Sequence, residues 1–481
     1  MRSYHDGTGQ TVPLLQSAVQ ADPSFGGAAL RLWWIATNGA DGHEHAAEYQ
    51  RRVVALEATL SPRDRALFEG LEAPDADTRN AKLDAYLARH PDDDVAWVAR
   101  LDTTLATTER VLAAQPTLVP VYVHQSGQLH KASRDDEAAA VLARCLEVSP
   151  RAADCLAQRS DLLDEAGHCS AAEADVRRWL ELQPGSRWAH SRLAALLAAR
   201  GASVDAVREA LGDDARAWAG DANVFEAVIP MFQGDFPEVE RQIRGAIARL
   251  PTSATEYEHF KPAVSLIHAH VETGDVAGAA RIAADYLSRR VAWREPGHEF
   301  VGFMIGAAAR GGRVSGAEAS RRLDGEFQAL VEEDLRPMPL SPQTKWQGWD
   351  PSTAWAAVYA SASDTPAEAL AAVAKLDELH ITPSTTDWLG PTSRALFLAG
   401  RGDQARPLLA DTLTFCSSAL LFSRGSMRAH LYLGELDEHA GDRASACDHY
   451  GKVLDRWGHA RPRSITADEA RVRAGKLGCG R

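Results

Sequence analysis

The sequence predicts an all-α fold of serial helix pairs, and three observations carry that expectation. Ala, Leu, Glu and Arg recur at three- and four-residue spacing along nearly the whole chain, whereas strand-like runs of alternating Val, Ile, Thr and aromatic residues are absent. Pro116, Pro150 and Pro184 follow one another every 34 residues, and Pro251 stands 67 further on. Gly-Asp dipeptides at 234–235, 274–275, 402–403 and 441–442 mark tight turns, because glycine ends a helix left-handed and aspartate caps the next one.

Taken in order, the N-terminal helices are expected near Leu14 to Asp22, Gly26 to Ala36, His45 to Leu60 and Arg63 to Leu71. From Asp135 to Val148, Ala138, Val141, Leu142, Cys145 and Leu146 form one apolar face. Val239, Ile243, Ala246, Ile247 and Leu250 do the same from Pro237 to Leu250. Further pairs are expected near 223–250, 258–290, 299–333, 351–380, 386–416 and 424–457, with a last helix at 465–477. Pro337, Pro339, Pro342 and Pro351, with Trp346 and Trp349, forbid a helix between two sub-arrays and predict a linker loop over 335–350.

The segment VPVYVHQSGQLHKASRDDEAAAVLARCLEVSPRA, beginning at Val119, resembles a tetratricopeptide repeat. Tyr122 and Leu129 stand at its large positions, Ala138 at the small crossing position, Leu142 and Cys145 at packing positions and Pro150 at the end. A second unit from Ala153 repeats this with Leu156, Leu163, Ala172, Val176 and Pro184, departing at Trp179, where the family has a small residue. A third, from Arg187, keeps Leu193, Leu197 and Ala206 and is shortened after Leu211. The resemblance implies a right-handed superhelical solenoid of antiparallel helix pairs with a concave groove. It divides the chain into 1–118, an N-terminal helical region of degenerate repeats; 119–334, the array; the 335–350 linker; and 351–481, a C-terminal degenerate array with a capping helix.

AVQADPSFGGAALRLWW, LSPRDRALFEG and LDAYLARHPDDDVAWV, with the C-terminal LYLGELDEHAGDRASACDHYGKVLDRWGHARPRSITADEARVRAGKLG, are similar to the repeat regions of some large bacterial serine/threonine kinases and transcriptional regulators. That similarity implies a sensing or docking region in signalling, here detached from its effector.

A formal charge of -14 gives no general attraction to nucleic acid. The start has no signal-peptide core and no stretch is apolar enough to cross a bilayer, so no membrane and a cytoplasmic location are expected. Cys145, Cys155, Cys169, Cys416, Cys447 and Cys479 form no CxxC pair and read as reduced, packed thiols, a Cys145–Cys155 bond being the less favoured alternative. The chain has no glycine-rich phosphate loop, HRD, DFG, GxxxxGK[ST] or GxSxG, so a kinase core is excluded and no catalytic centre or cofactor is expected.

His43-Glu44-His45 and His268-Ala269-His270 lack the i, i+4 spacing of helix-borne metal ligands and read as surface or groove histidines. Asp92-Asp93-Asp94, Asp135-Asp136 and Asp213-Asp214 read as helix caps. Asp154, Asp161 and Asp164 step by three or four from Ala157 and share a helix face, with Glu165 beside them. In the resembling family this face lines the groove, so the acidic strip reads either as a solvated helix face or as a site for a basic peptide partner, with Tyr122 or Trp188 as apolar anchors and His130 completing the set. The family's carboxylate clamp is not matched, since Val123, Ala157 and Ser191 occupy its positions. The expected function is a scaffold or sensor that holds a protein or peptide. The alternatives are the detached kinase-associated region, an oligomerisation module, or a helical enzyme with a buried His/Glu site.

Overall fold

The structure, a computed structural model, describes residues 11–38, 46–101, 105–212, 224–250, 256–289, 301–332, 351–383 and 390–480. The 335–350 linker, His43 to His45 and Asp213-Asp214 lie outside the described residues. Among the described residues there is no β-strand, and only an isolated bridge joins Asp235 to Arg461. The all-α expectation is met. No helix among them is long and apolar enough to cross a membrane.

The described residues form two compact units, the first made of those within 11–163 and 170–189, the second of those within 164–169, 190–332 and 351–480. Helices of the first unit are α1 (Thr11–Ala21), α2 (Gly26–Asn38), α3 (Ala46–Leu56), α4 (Pro62–Leu71), α5 (Ala76–Leu87), α6 (Asp94–Ala99), α7 (Leu105–Ala114), α8 (Val119–Lys131), α9 (Asp135–Val148), most of α10 (Ala153–Glu165) and most of α11 (Cys169–Leu182). Sequential helices pack on one another, as in α2 with α3, α4 with α5 and α8 with α9. Apolar burial drives this pairing, each fully buried large side chain contributing about 1.5–3 kcal/mol. Trp33, Trp34, Phe68 and Tyr86 centre one core, with Trp33 and Phe68 edge to face at 5.9 Å, while Tyr122, Leu129, Leu142 and Leu156 centre the next. Trp179, the departure from the repeat pattern, is half-buried against this second core, and its Nε1 donates to Gln183 Oε1 at 2.8 Å.

Asp93 does more than cap α6. Its carboxylate accepts from Ala96 N at 3.2 Å, Tyr86 Oη at 2.8 Å and Arg31 Nη2 at 2.7 Å, and Arg31 also reaches Asp64 at 2.8 Å. A buried polar knot therefore ties α2, α4, α5 and α6 together. Asp135, by contrast, is the first residue of α9 and does not cap it, its carboxylate meeting His130 Nδ1 at 2.7 Å.

The second unit runs through α12 (Arg187–Ala199, its first turn in the first unit), α13 (Val204–Leu211), α14 (Val224–Gln233), α15 (Phe236–Arg249), α16 (Glu256–Thr273), α17 (Val276–Arg289), α18 (Val301–Arg310) and α19 (Gly316–Glu332). It continues with α20 (Pro351–Trp355), which runs into a π-helical turn (Ala356–Ala360), then α21 (Pro366–Glu378), α22 (Pro391–Leu398), α23 (Gly402–Thr414), α24 (Ser418–Leu421), α25 (Ser423–Ala440), α26 (Arg443–Trp457) and α27 (Ile465–Leu477). The glycines of the Gly-Asp turns are left-handed at Gly234, Gly274 and Gly441, and Asp275 and Asp442 cap the next helix through Gly278 N and Ser445 N, whereas Asp235 makes no side-chain cap. At 402–403 the left-handed residue is instead Gly400, and Gly402 begins α23.

Contacts in this unit are not confined to sequence neighbours. Helix α14 packs on α24, α25 and α26, and α16 packs on α27. Phe236 meets Trp457 edge to face at 5.7 Å, and Trp457 Nε1 donates to Met231 O at 3.1 Å. The main chain is stitched across the same joint, Arg461 N donating to Gly234 O at 2.8 Å and Phe236 N to Arg461 O at 3.2 Å. An open solenoid confines contacts to adjacent repeats. Here the C-terminal pairs return onto the first ones, so the expectation of a continuous open trough does not hold for this unit.

Close approach shapes the interior. A Cβ on Gly302 would lie 2.0 Å from Val358 O, and one on Gly306 2.2 Å from Ala362 O, so these glycines let α18 lie directly against the π-helical turn and its continuation.

The cysteines correct the sequence reading. All six are bonded, as Cys145–Cys155, Cys169–Cys416 and Cys447–Cys479, so neither free thiols nor an unpaired Cys145 and Cys155 are found.

Candidate functional site

The densest set of ionisable side chains lies inside the second unit. Helix α16 places His268 and Glu272 four residues apart on one face, and α25 does the same with Arg424 and Arg428. Asp364 enters from the segment after the π-helical turn, Arg394 from α22, Arg310 from α18, and Ser464 and Thr466 from the start of α27.

Glu272, fully buried, accepts from Arg428 Nε at 2.9 Å, Arg424 Nε at 3.2 Å, Thr466 Oγ1 at 2.8 Å and Ser464 Oγ at 3.3 Å. Asp364 takes Arg424 Nη2 at 3.3 Å and Arg428 Nη1, with Arg394 Nε 3.8 Å away. Arg394 donates chiefly to carbonyls that end the preceding helix, Ser363 O at 2.8 Å and Ser361 O at 3.2 Å. Arg310 adds Ala362 O at 2.8 Å and Glu368 at 3.0 Å. Cations at a helix C-terminus complement both the unpaired carbonyls and the dipole.

Burial alone would raise both acids, but the guanidiniums of Arg428 and Arg424 more than reverse it, holding Glu272 below and Asp364 well below the usual carboxylate range. His268 is driven well below its ordinary value by burial and by the same arginines, and its ring meets Phe303 at 4.6 Å. It is a half-buried imidazole held neutral among these arginines. His270, two residues on, turns elsewhere and meets Asp275 at 2.8 Å. Burial also lowers Arg424 to about 10.

Chemically, an ionised acid holding three or four donors is a poor proton acceptor, and a neutral imidazole among cations is a poor base. What the arrangement does is fix α16, α22, α25, α27 and the end of the π-helical segment in one register. Sequence reasoning stopped at His268 and His270. The available signal was the i, i+4 pairing of His268 with Glu272 and of Arg424 with Arg428, opposite charges on two helices.

A smaller polar set joins α25 to α26. His430 Nδ1 and His449 Nδ1 lie 2.9 Å apart, His449 Nε2 is 3.7 Å from Asp437, and Asp437 holds Arg406 at 2.6 Å. Burial, and then His449, lower His430 to about 3.

The residues singled out from sequence do not converge there. Tyr122 is 1% exposed, its hydroxyl donates to Pro116 O at 2.7 Å, and it is a core residue instead of an anchor. Asp164 is 0% exposed and belongs to a polar knot in the second unit, bonded to Arg192 at 2.7 Å, to Ser417 N at 2.8 Å and to Ser417 Oγ at 2.5 Å. Burial raises its carboxyl, against the pull of Arg192 and Ser417. Both corrections have one cause: the helix face pattern does not say which polar stripe packs inward. Asp154 is exposed, Asp161 half-buried, and His130 partly exposed beside Asp135. Trp188 keeps 54% of its surface in solvent.

No family model matches the chain. No curated protein matches it either. Among solved structures, "Structure of Naa15/Naa10 bound to HypK-THB" aligns with 88% of this chain and 65% of its own at 10% identity and a TM-score of 0.25. This chain thus spans less than two thirds of that one, and at so low a TM-score the alignment supports neither a shared shape nor a shared partner.

Proposed function

We propose that the chain is a protein-interaction module, a scaffold or sensor, whose regular pairs α8 to α11 stack antiparallel as a tetratricopeptide-like right-handed superhelix and offer a groove to a peptide. The observation that supports this best is Trp188, which leaves 54% of its surface exposed at the start of the helix following those pairs. A large aromatic kept out of the core is the kind of anchor that dominates protein–protein contacts. Asp154 and Asp161, the outward members of the acidic strip, favour a basic segment over an acidic one.

A catalytic reading has one observation in its favour, the meeting of His268, Glu272 and Asp364. The guanidiniums that saturate both acids count against it, and the chain is proposed to have no catalytic role. Selection of random peptides on the purified chain tests the interaction reading. Enriched peptides should carry Lys or Arg, and W188A and D154K/D161K should each weaken them at least about tenfold. Enrichment of acidic peptides, or equal binding by wild type and both variants, would refute it.

A further inference from the structure

We infer that this protein matures in an oxidising compartment, with all six cysteines committed to structural disulfides and Cys169–Cys416 serving as the clasp that fastens residues 164–169 to the turn after α23. The inference begins with the pairing itself. Three bonds use every cysteine of the chain and join residues 10, 247 and 32 apart in sequence, with Cα–Cα distances of 6.5, 5.7 and 5.5 Å. Those distances fall within the range a disulfide spans. A chain whose thiols stay reduced has no selective reason to bring six of six into bonding pairs, least of all across 247 residues.

The surroundings of the long-range bond make the same point. Cys416 N donates to Asp164 O at 3.2 Å, Ser417 N to the Asp164 carboxylate at 2.8 Å, and Arg192 closes the knot at 2.7 Å. A Cβ on Gly167 would lie 3.2 Å from Thr414 O, so the two segments run in direct contact. The disulfide therefore seals an interface already matched by polar bonds. At the other end, Cys447–Cys479 holds the residues after α27 to α26, in the part of the unit that returns onto α14 and α16.

Each bond forms when two thiols give up two protons and two electrons. An oxidised protein dithiol of the thiol–disulfide exchange class accepts them and is itself reduced. Such catalysts work in secretory and periplasmic spaces, whereas cytosolic thiol buffers run the exchange backwards. This inference departs from the expected cytoplasmic location, which rested on the lack of a signal-peptide core and of a membrane-crossing stretch.

Exposure also orders the bonds. Cys145 and Cys155 are fully buried, while Cys169, Cys447 and Cys479 are partly exposed. Protein recovered from its native cells should be quenched in acid, denatured, and treated with maleimide-polyethylene glycol before and after reduction. The expected result is no added mass before reduction and six additions after it. Graded reductant on the folded chain should open Cys169–Cys416 and Cys447–Cys479 before Cys145–Cys155, as read by peptide mass spectrometry. C169S/C416S should lower the melting temperature by several degrees, and wild type held in reductant should lose as much or more. Six maleimide additions without reduction in the acid-quenched native protein would overturn the inference. So would wild type and C169S/C416S melting at one temperature, with reductant shifting neither.

Discussion

Replacing Glu272 by Gln tests whether the charged interior of the second unit holds its helices together. The substitution keeps the shape and one acceptor oxygen, but it sets an amide donor against Arg424, Arg428, Ser464 and Thr466, which all donate to the carboxylate at 2.8–3.3 Å. A hydrogen bond to a charged group contributes about 1.5–3 kcal/mol. Breaking a buried ion pair from one side costs about 3–5 kcal/mol, because the remaining charges stay desolvated. Among the described residues Asp364 is the other acid paired with Arg424 and Arg428, so a loss of about 3–5 kcal/mol is expected. Hydrogen exchange locates it: amides of α16, α25 and α27 should exchange about 10²-fold to several thousandfold faster, at tenfold per 1.4 kcal/mol. Amides of α8 and α9, in the other unit, serve as the internal control. A change under about 1 kcal/mol, or equal loss of protection in both units, would show that the cluster does not organise α16, α25 and α27.

Further outcomes follow from the same geometry. Gly306→Ala should destabilise the second unit by about 1–3 kcal/mol, since the new methyl must displace the Ala362 carbonyl. Urea midpoints measure it, and Gly325→Ala, with open space at its Cβ, should be near neutral or stabilising. Stability should decline as pH falls below about 6.5. His430 titrates at about 3 when folded and His268 well below its ordinary value, so the unfolded chain takes up protons first. Their contribution is complete above pH 6.5 and is lost toward the folded values, His430 alone accounting for at most about 4–5 kcal/mol. Urea denaturation between pH 4 and 7 measures this, and H430Q should flatten the slope. A second fall is expected below about pH 4, where the carboxyls of the unfolded chain take up protons while Glu272 and Asp364, both depressed, stay ionised in the fold. Tyr122→Ala should cost about 3–5 kcal/mol as a core deletion, whereas Trp188→Ala should change stability little. Thermal melts separate the two.

Much of the secondary structure was legible from local rules. The helix at Asp135–Val148 and the last one at Ile465–Leu477 lie where periodicity placed them. The pairs at 223–250 and 424–457 divide at their Gly-Asp turns, Gly234-Asp235 and Gly441-Asp442. Local rules fix such elements because helix periodicity and capping act within a few residues. They gave no view of the candidate site. Glu272 and Arg428 stand 156 residues apart and Asp164 and Ser417 253 apart, and no property of either short segment announces its partner.

The amino-acid order by itself determined that this chain is helical, where several of its helices start and stop, and that it lacks the motifs of phosphoryl and acyl transfer. Tertiary packing decided which polar stripes turn inward, so that Asp164 and Tyr122 became interior residues while Trp188 stayed outside. It also decided that α14 and α16 meet the C-terminal helices, and that every cysteine found a partner. The physical reason is range. Capping and amphipathicity act over one or two helical turns, whereas burial, ion pairing and disulfide geometry depend on what distant segments bring to the same place.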